Sequence, residues 1–243
     1  CVHTFANIQA VVTAMQSRLA NPSRGDVKKA MRCIRWLNQN KHDGITFMGP
    51  ANADKEGTLW ATVDASFNTH SDGKGQTGFT ISVGMWEPPL ITCARKQKVM
   101  TRSSTDAEYV AYSDVCAKIA WFRQVVEFAG YKQKHAVVVE NDNMSALEIG
   151  SREFPTKGVT HQSHRYHYFT AQVREGLVQF IYRETTELLA DLQTKPLVGK
   201  THDKHYDRVR NGIVKDERPE YPLQPRFVVK GNKNENLQLK RRE

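Results

Sequence analysis

The chain has 243 residues, 39% of them hydrophobic and 25% charged, with 35 Lys and Arg against 26 Asp and Glu and a formal net charge of +9. Such a composition supplies one substantial core and excludes collagen-like, mucin-like and wholly disordered readings. No apolar run approaches the roughly 18 to 20 residues that a bilayer-spanning helix needs, so a soluble protein with no membrane partner is expected.

The charge is unevenly spread. Residues 1–57 carry eight basic and four acidic side chains, residues 58–197 fifteen of each, and residues 198–243 twelve and seven. A neutral middle with basic flanks suits an enzyme whose acidic site must approach a polyanion, and equally a merely solvated basic surface. The four cysteines, Cys1, Cys33, Cys93 and Cys116, are scattered, with neither zinc-ribbon nor disulfide-framework spacing.

In chain order, apolar residues recur at helical spacing from Ile8 to Met15 and from Val27 to Leu37, with Asn21-Pro22-Ser23 between them. This predicts two helices, then a short strand near residues 45–48. The stretch 49–57 lacks periodicity and reads as a domain boundary. Residues 58–65, 77–86 and 90–95 read as an antiparallel meander. A long helix is expected at about 105–128, with Gly130 as its stop signal. Strands at 136–140 and 177–182 then alternate with helices at 144–149, 165–174 and 185–193. This order predicts an α/β fold, a mixed sheet flanked by helices, with an N-terminal helical segment. Trp36, Trp60, Trp86 and Trp121 are expected in the core. Residues 198–243 are expected to be a basic, flexible tail.

Four acids fall at the ends of these elements: Asp64 at the end of the first strand, Glu108 in the first turn of the long helix, Asp142 after a run of valines, and Asp191 near the end of the last helix. Converging carboxylates make a site for hard divalent cations, which prefer oxygen ligands. Two such ions suit phosphodiester hydrolysis, which needs an activated water and a stabilised leaving oxygen. Any one of these acids taken singly is more simply a helix cap or a solvated side chain, as is expected for Asp106. His161, His164 and His167 share a spacing of three, ordinarily a solvated polar face.

The strings around these acids resemble a known family. Lys96-Gln97-Lys98 followed by Ser103-Ser104-Thr105-Asp106-Ala107-Glu108-Tyr109 is similar to K-Q-x and S-S-T-E-A-E-Y in the ribonuclease H domain of copia-type LTR retrotransposon polyproteins. Asp142-Asn143-Met144-Ser145-Ala146 resembles its D-N-x-S-A, and Leu189 to Leu197 its L-A-D-x-x-T-K-P-L. Arg165-Tyr166-His167 through Gly176 resembles R-Y-H-F and V-x-E-G, and Thr77-Gly78-Phe79 resembles S-G-Y. Upstream, Lys29 to Leu37 is similar to the last helices of the reverse transcriptase thumb or connection. The sequence holds no Asp-Asp dipeptide, so the polymerase's catalytic pair is not in this chain.

The resemblance implies a ribonuclease H-like fold with a five-stranded sheet, divided as residues 1–57 (reverse transcriptase remnant), 58–197 (ribonuclease H domain) and 198–243 (tail). It implies two-metal hydrolysis of the RNA strand of RNA:DNA hybrids, with Asp64, Glu108, Asp142 and Asp191 as catalytic and metal-ligating acids for two Mg²⁺, replaceable by Mn²⁺. The order D, E, D, D separates this pattern from the D, D, E of integrases and transposases. Lys96, Lys98, Arg102, Asn143, Ser145 and Arg165 are the expected substrate contacts, and His161 or His164 the expected product-release histidine. The implied partners are the hybrid and a polymerase domain. The implied location is a cytoplasmic virus-like particle, with the nucleus as the alternative. A rival reading is a catalytically silent module of the same fold that binds nucleic acid or scaffolds a larger assembly. The sequence departs from the family at Asp64-Ala65-Ser66-Phe67 (D-A-D-W), Ile91-Thr92-Cys93 (I-S-W) and Thr160-His161-Gln162-Ser163 (K-H-I-D).

Overall fold

The computed structural model describes residues 5–47, 58–150 and 163–213. Strands β1 (Leu59–Ser66), β2 (Gln76–Val83), β3 (Ile91–Lys96), β4 (Val137–Asn141) and β5 (Val178–Tyr182) form one sheet in the order β3-β2-β1-β4-β5. The first three are antiparallel, with Asp64 opposite Gly78 and Phe79 opposite Cys93. β4 runs parallel to β1, and β5 parallel to β4. Tight connections return a strand beside itself in reverse, whereas β3 and β4 are joined through the long helix α3 (Ser104–Phe128), which gives the chain room to re-enter in parallel. The expected five-stranded mixed sheet is therefore present.

Alternation along β1 explains how the sheet is covered. Leu59, Ala61 and Val63 join Ile81, Val139 and Phe180 in the main core, together with Tyr112, Val115 and Ile119 of α3. Helices α4 (Met144–Gly150) and α5 (Ser163–Arg174) complete that layer with Ala146, Leu147, Tyr166 and Phe169. Tyr109 stacks on Phe169 with centroids 5.5 Å apart, and Tyr112 meets Phe180 at 4.6 Å, fixing α5 and β5 against α3. Ser103 caps α3 by accepting from Asp106 N at 3.1 Å, while Asp106 accepts from Arg102 N at 3.2 Å. The cap is therefore Ser103 rather than the expected Asp106, which supports the first turn from its third residue by holding Arg102 N, and Glu108 falls just beyond that turn.

The opposite face is polar. The Thr62 and Thr80 hydroxyls lie 2.8 Å apart, and Glu140, across from Thr62, forms a buried ion pair with Arg183. Helices α1 (Gln9–Gln16), α6 (Asp191–Thr194) and α7 (Gly199–Asn211) cover part of it, and Ala6, Leu189, Leu192 and Val209 close a second small core.

Several expectations give way here. The start of the N-terminal segment packs on the sheet and on α6: Gln9 Nε2 donates to Thr92 Oγ1 at 2.8 Å, Thr13 Oγ1 to Ala94 O at 2.9 Å, and Gln193 Nε2 to Ala6 O at 3.0 Å, while the expected boundary at 49–57 lies outside the described residues. The polar sheet face needs these polar partners, which is why α1 joins it. α2 (Arg24–Gln39) is the expected second helix, closed by a Ser23–Asp26 capping box, and its Val27, Met31 and Ile34 are exposed. No strand forms at residues 45–47, where Thr46 N donates to Arg210 O at 2.7 Å. The tail is ordered as α7 through residue 211, because His205, Arg208 and Val209 are buried. The single helix expected at 185–193 breaks into a 3-10 turn at Thr185–Glu187, an extended Leu188 and α6, so that Leu188 and Leu189 both turn inward. Asp191 therefore starts a helix. Trp121 is 50% exposed, with Lys118 Nζ 3.8 Å from its ring centroid, because it lies off the core-facing side of α3; the other three tryptophans are half-buried. Among the described residues no helix is long and apolar enough to cross a membrane.

Candidate active site

β1 and β4 are parallel neighbours and end on the same edge of the sheet, so Asp64 and Asp142 emerge side by side. α3 crosses that edge and brings in Glu108. Ligand oxygens of Asp64, Glu108 and Asp142 all lie within 4.8 Å of one another. Asp64 and Glu108 are buried, and Asp142 is half-buried at the opening.

The cluster is held from below by Asn141. Its Nδ2 donates to Glu108 Oε2 at 3.1 Å and to Val63 O at 2.9 Å, while its Oδ1 accepts from Tyr112 OH at 2.6 Å and Asn143 N at 2.8 Å. All four hydrogen-bonding positions of that amide are used. Thr185 Oγ1, just past β5, donates to Asp142 Oδ2 at 2.7 Å. The Thr194 hydroxyl donates to Asp64 Oδ2. Asp191 faces Asp64 from α6, and Lys195 pairs with both, its Nζ 2.8 Å from Asp191 Oδ1 and 3.7 Å from Asp64 Oδ2.

Burial, reinforced by the Asp64 and Asp142 carboxylates, pushes Glu108 well above the usual carboxylate range against the opposing Asn141 bond. Burial also raises Asp142, with the Thr185 bond working against it and Asp64 adding to the rise. Asp191 is pushed up to about 7, by burial first and then by Asp64, with Lys195 opposing. Clustered like charges of this kind are relieved by a cation, and carboxylate oxygens suit a hard divalent one. The donor set fits.

The remaining expected contacts are dispersed. Lys96 pairs with Asp72 at 2.8 Å, and Lys98 and Arg102 are exposed in the loop before α3. Asn143 Oδ1 accepts from Ala146 N at 3.0 Å, which is a helix cap, and Ser145 is exposed on α4. Arg165 turns to Asp114 at 3.1 Å, which also takes Arg95 at 2.6 Å, so its guanidinium is committed to α3. His164 is exposed at the start of α5, and His161 lies outside the described residues. The reading from motifs missed Asn141, Thr185, Thr194 and Lys195 as parts of the site. Thr194 and Lys195 are the T and K of the L-A-D-x-x-T-K-P-L string and Asn141 directly precedes the D-N-x-S-A string, which was the available signal; Thr185 had none.

The five-stranded mixed sheet in this order, with acids converging at the ends of its central strands, is the α/β architecture that the sequence led us to expect. No family model matches the chain. In sequence it is similar to the retrovirus-related Pol polyproteins from transposons RE2 and RE1 of Arabidopsis thaliana, at 26% identity over 213 and 195 residues, and TNT 1-94 of Nicotiana tabacum, at 27% over 199 residues. These alignments take in 87%, 80% and 80% of this chain but only 14%, 13% and 14% of the relatives, so the chain spans about a seventh of the polyproteins it matches. Among solved structures, a ribonuclease H1 isolated from compost aligns at 14% identity and TM-score 0.43, covering 61% of this chain and 97% of that one. Ribonuclease H1 from Halobacterium salinarum aligns at 12% identity and TM-score 0.36, covering 53% and 87%. The homologues are thus retrovirus-related Pol polyproteins of plant transposons, in agreement with the family that the motifs resemble.

Proposed function

We propose that this chain is the ribonuclease H part of a retrotransposon polyprotein and cuts the RNA strand of RNA:DNA hybrids during reverse transcription. The observation that carries this reading is the convergence of Asp64, Glu108 and Asp142 within 4.8 Å at the ends of β1 and β4, in a chain whose relatives are Pol polyproteins.

Asp64, Glu108, Asp142 and Asp191 would hold two Mg²⁺, or Mn²⁺ in their place. When bound, such ions make an attacking water nucleophilic and neutralise the leaving 3′ oxygen, giving 5′-phosphate and 3′-hydroxyl ends. Asn141 fixes the carboxylate of Glu108, and Thr185 fixes that of half-buried Asp142. Lys98 and Arg102, exposed before the start of α3, would meet phosphates. Selectivity would come from 2′-hydroxyl contacts on one strand, with Asn143 and Ser145 nearest to Asp142 in sequence, and base edges would go unread. The natural neighbour would be a polymerase domain, in a cytoplasmic particle.

A labelled RNA:DNA hybrid incubated with the chain and Mg²⁺ tests this directly. Cleavage of the RNA strand that stops on chelation is the expected result. Hybrid binding with no cleavage at any Mg²⁺ or Mn²⁺ concentration would replace the enzyme by the catalytically silent module.

A further inference from the structure

Lys195 follows the Asp191 helix and points back at the acids, meeting Asp191 at 2.8 Å and Asp64 at 3.7 Å. Its backbone is anchored: Lys195 N donates to Asp191 O at 2.9 Å, and Ser66 Oγ holds the preceding carbonyl, Thr194 O, at 3.1 Å. Its side chain is different in kind from those of its partners. It is 42% exposed, whereas Asp64 and Asp191 are 3% and 5% exposed. The ammonium can therefore leave on its flexible stem without disturbing the backbone that carries Asp191.

An ammonium and a divalent ion drawn to the same pair of carboxylates repel each other strongly at such distances inside a protein. We propose that Lys195 is a built-in counter-cation: it occupies the Asp64–Asp191 edge when no divalent ion does, and it must release Asp191 before that edge can fill. Lys195 thereby sets the cation concentration at which the site loads. Resting on the cation reading above, this adds a role for a residue that the acids alone do not need. Lys195 is a positioning residue here, acting through Asp64 and Asp191.

The test is Mn²⁺ binding to the full chain by titration calorimetry, without substrate, for wild type, Lys195→Met and Lys195→Arg. Lys195→Met should bind Mn²⁺ about tenfold more tightly, because a repelling charge has gone, while Lys195→Arg, which keeps the charge, should stay within about threefold of wild type. In chelator, Lys195→Met should melt below wild type and recover when Mn²⁺ is added. If wild type binds Mn²⁺ and Lys195→Met binds it no more tightly, the counter-cation role is overturned and the cation site stands. The role is equally overturned if the only effect of Lys195→Met is weaker hybrid binding, the mark of a phosphate contact. If no variant binds Mn²⁺, the cation reading falls and the inference with it.

Discussion

The side-chain amide of Asn141 lies against the carboxylate of Glu108, donating to Oε2 at 3.1 Å while the same nitrogen holds Val63 O at 2.9 Å. One amide thus joins β1, β4 and α3 directly beneath the acid cluster. Asn141→Ala leaves Glu108, Val63 O and Tyr112 OH without that partner, and unsatisfied buried groups cost about 1–3 kcal/mol each before any relaxation. A loss of roughly 2–4 kcal/mol in urea denaturation, performed in chelator, is expected. A loss below about 1 kcal/mol, by the same reasoning, would mean that Asn141 is a bystander.

Asp64→Asn, Asp142→Asn and Glu108→Gln keep shape and remove a metal-ligating charge. Each should abolish hybrid cleavage while binding of the hybrid is largely retained. Activity within about tenfold of wild type, equivalent to roughly 1.4 kcal/mol in barrier, would contradict direct ligation by the residue replaced.

The raised carboxyls make a pH prediction whose sign is unusual. Asp191 is pushed from 3.8 up to about 7, and Glu108 is also held above its ordinary value. Between about pH 4 and 7 these carboxyls hold protons in the folded chain that the unfolded chain has released, so their contribution to cation-free stability falls as pH rises through that window. Asp26 and Asp72, held low chiefly by the Ser23 and Lys96 hydrogen bonds, act in the opposite sense at and below the ordinary carboxylate range, and His205, held down to about 4 by burial, and His70, also lowered by burial, oppose within the window itself. Because the histidines are common to both proteins, the difference isolates Asp191: in chelator, wild type should lose stability relative to Asp191→Asn as pH rises through the window. Added Mg²⁺, competing with protons for the same oxygens, should stabilise most at the upper end. Equal pH dependence in the two proteins would remove Asp191 as the cause.

Gly78 faces Asp64 across β1 and β2, and α6 packs directly over it. A Cβ there would lie 2.6 Å from Thr194 Cγ2, 2.7 Å from Gln193 Cβ and 3.0 Å from Ala190 O. Gly78→Ala should cost about 1–3 kcal/mol by forcing α6 away, and the displacement carries Asp191 with it. A lower melting temperature with a higher Mg²⁺ requirement for cleavage is the expected pair of effects. A variant that melts lower but needs no more Mg²⁺ would show that Asp191 does not depend on this contact.

A chain shortened to begin at Thr58 loses the Gln9–Thr92, Thr13–Ala94 and Ala6–Gln193 bonds and uncovers Leu189 and Leu192. Uncovering a buried leucine costs about 1.5–3 kcal/mol. The shortened chain should melt at lower temperature and bind a hydrophobic dye more strongly than the full chain. Unchanged melting would support the boundary at residue 57 as a true division of the core.

The meander, the long helix and the acids at the ends of their elements were legible in the sequence, because alternation, helical spacing and stop residues are local properties of the chain. The motif strings around Asp64, Glu108, Asp142 and Asp191 were legible for the same reason. Only the tertiary structure placed Asn141 under Glu108, Thr185 on Asp142 and Lys195 between Asp64 and Asp191, since each contact joins segments that the sheet order alone brings together. It also turned Arg165 to Asp114 and drew α1 and α7 onto the polar face. A guanidinium settles on the nearest carboxylate in space, and a half-polar sheet face takes whichever helices can satisfy its hydroxyls, neither of which is written in the spacing of residues along one segment.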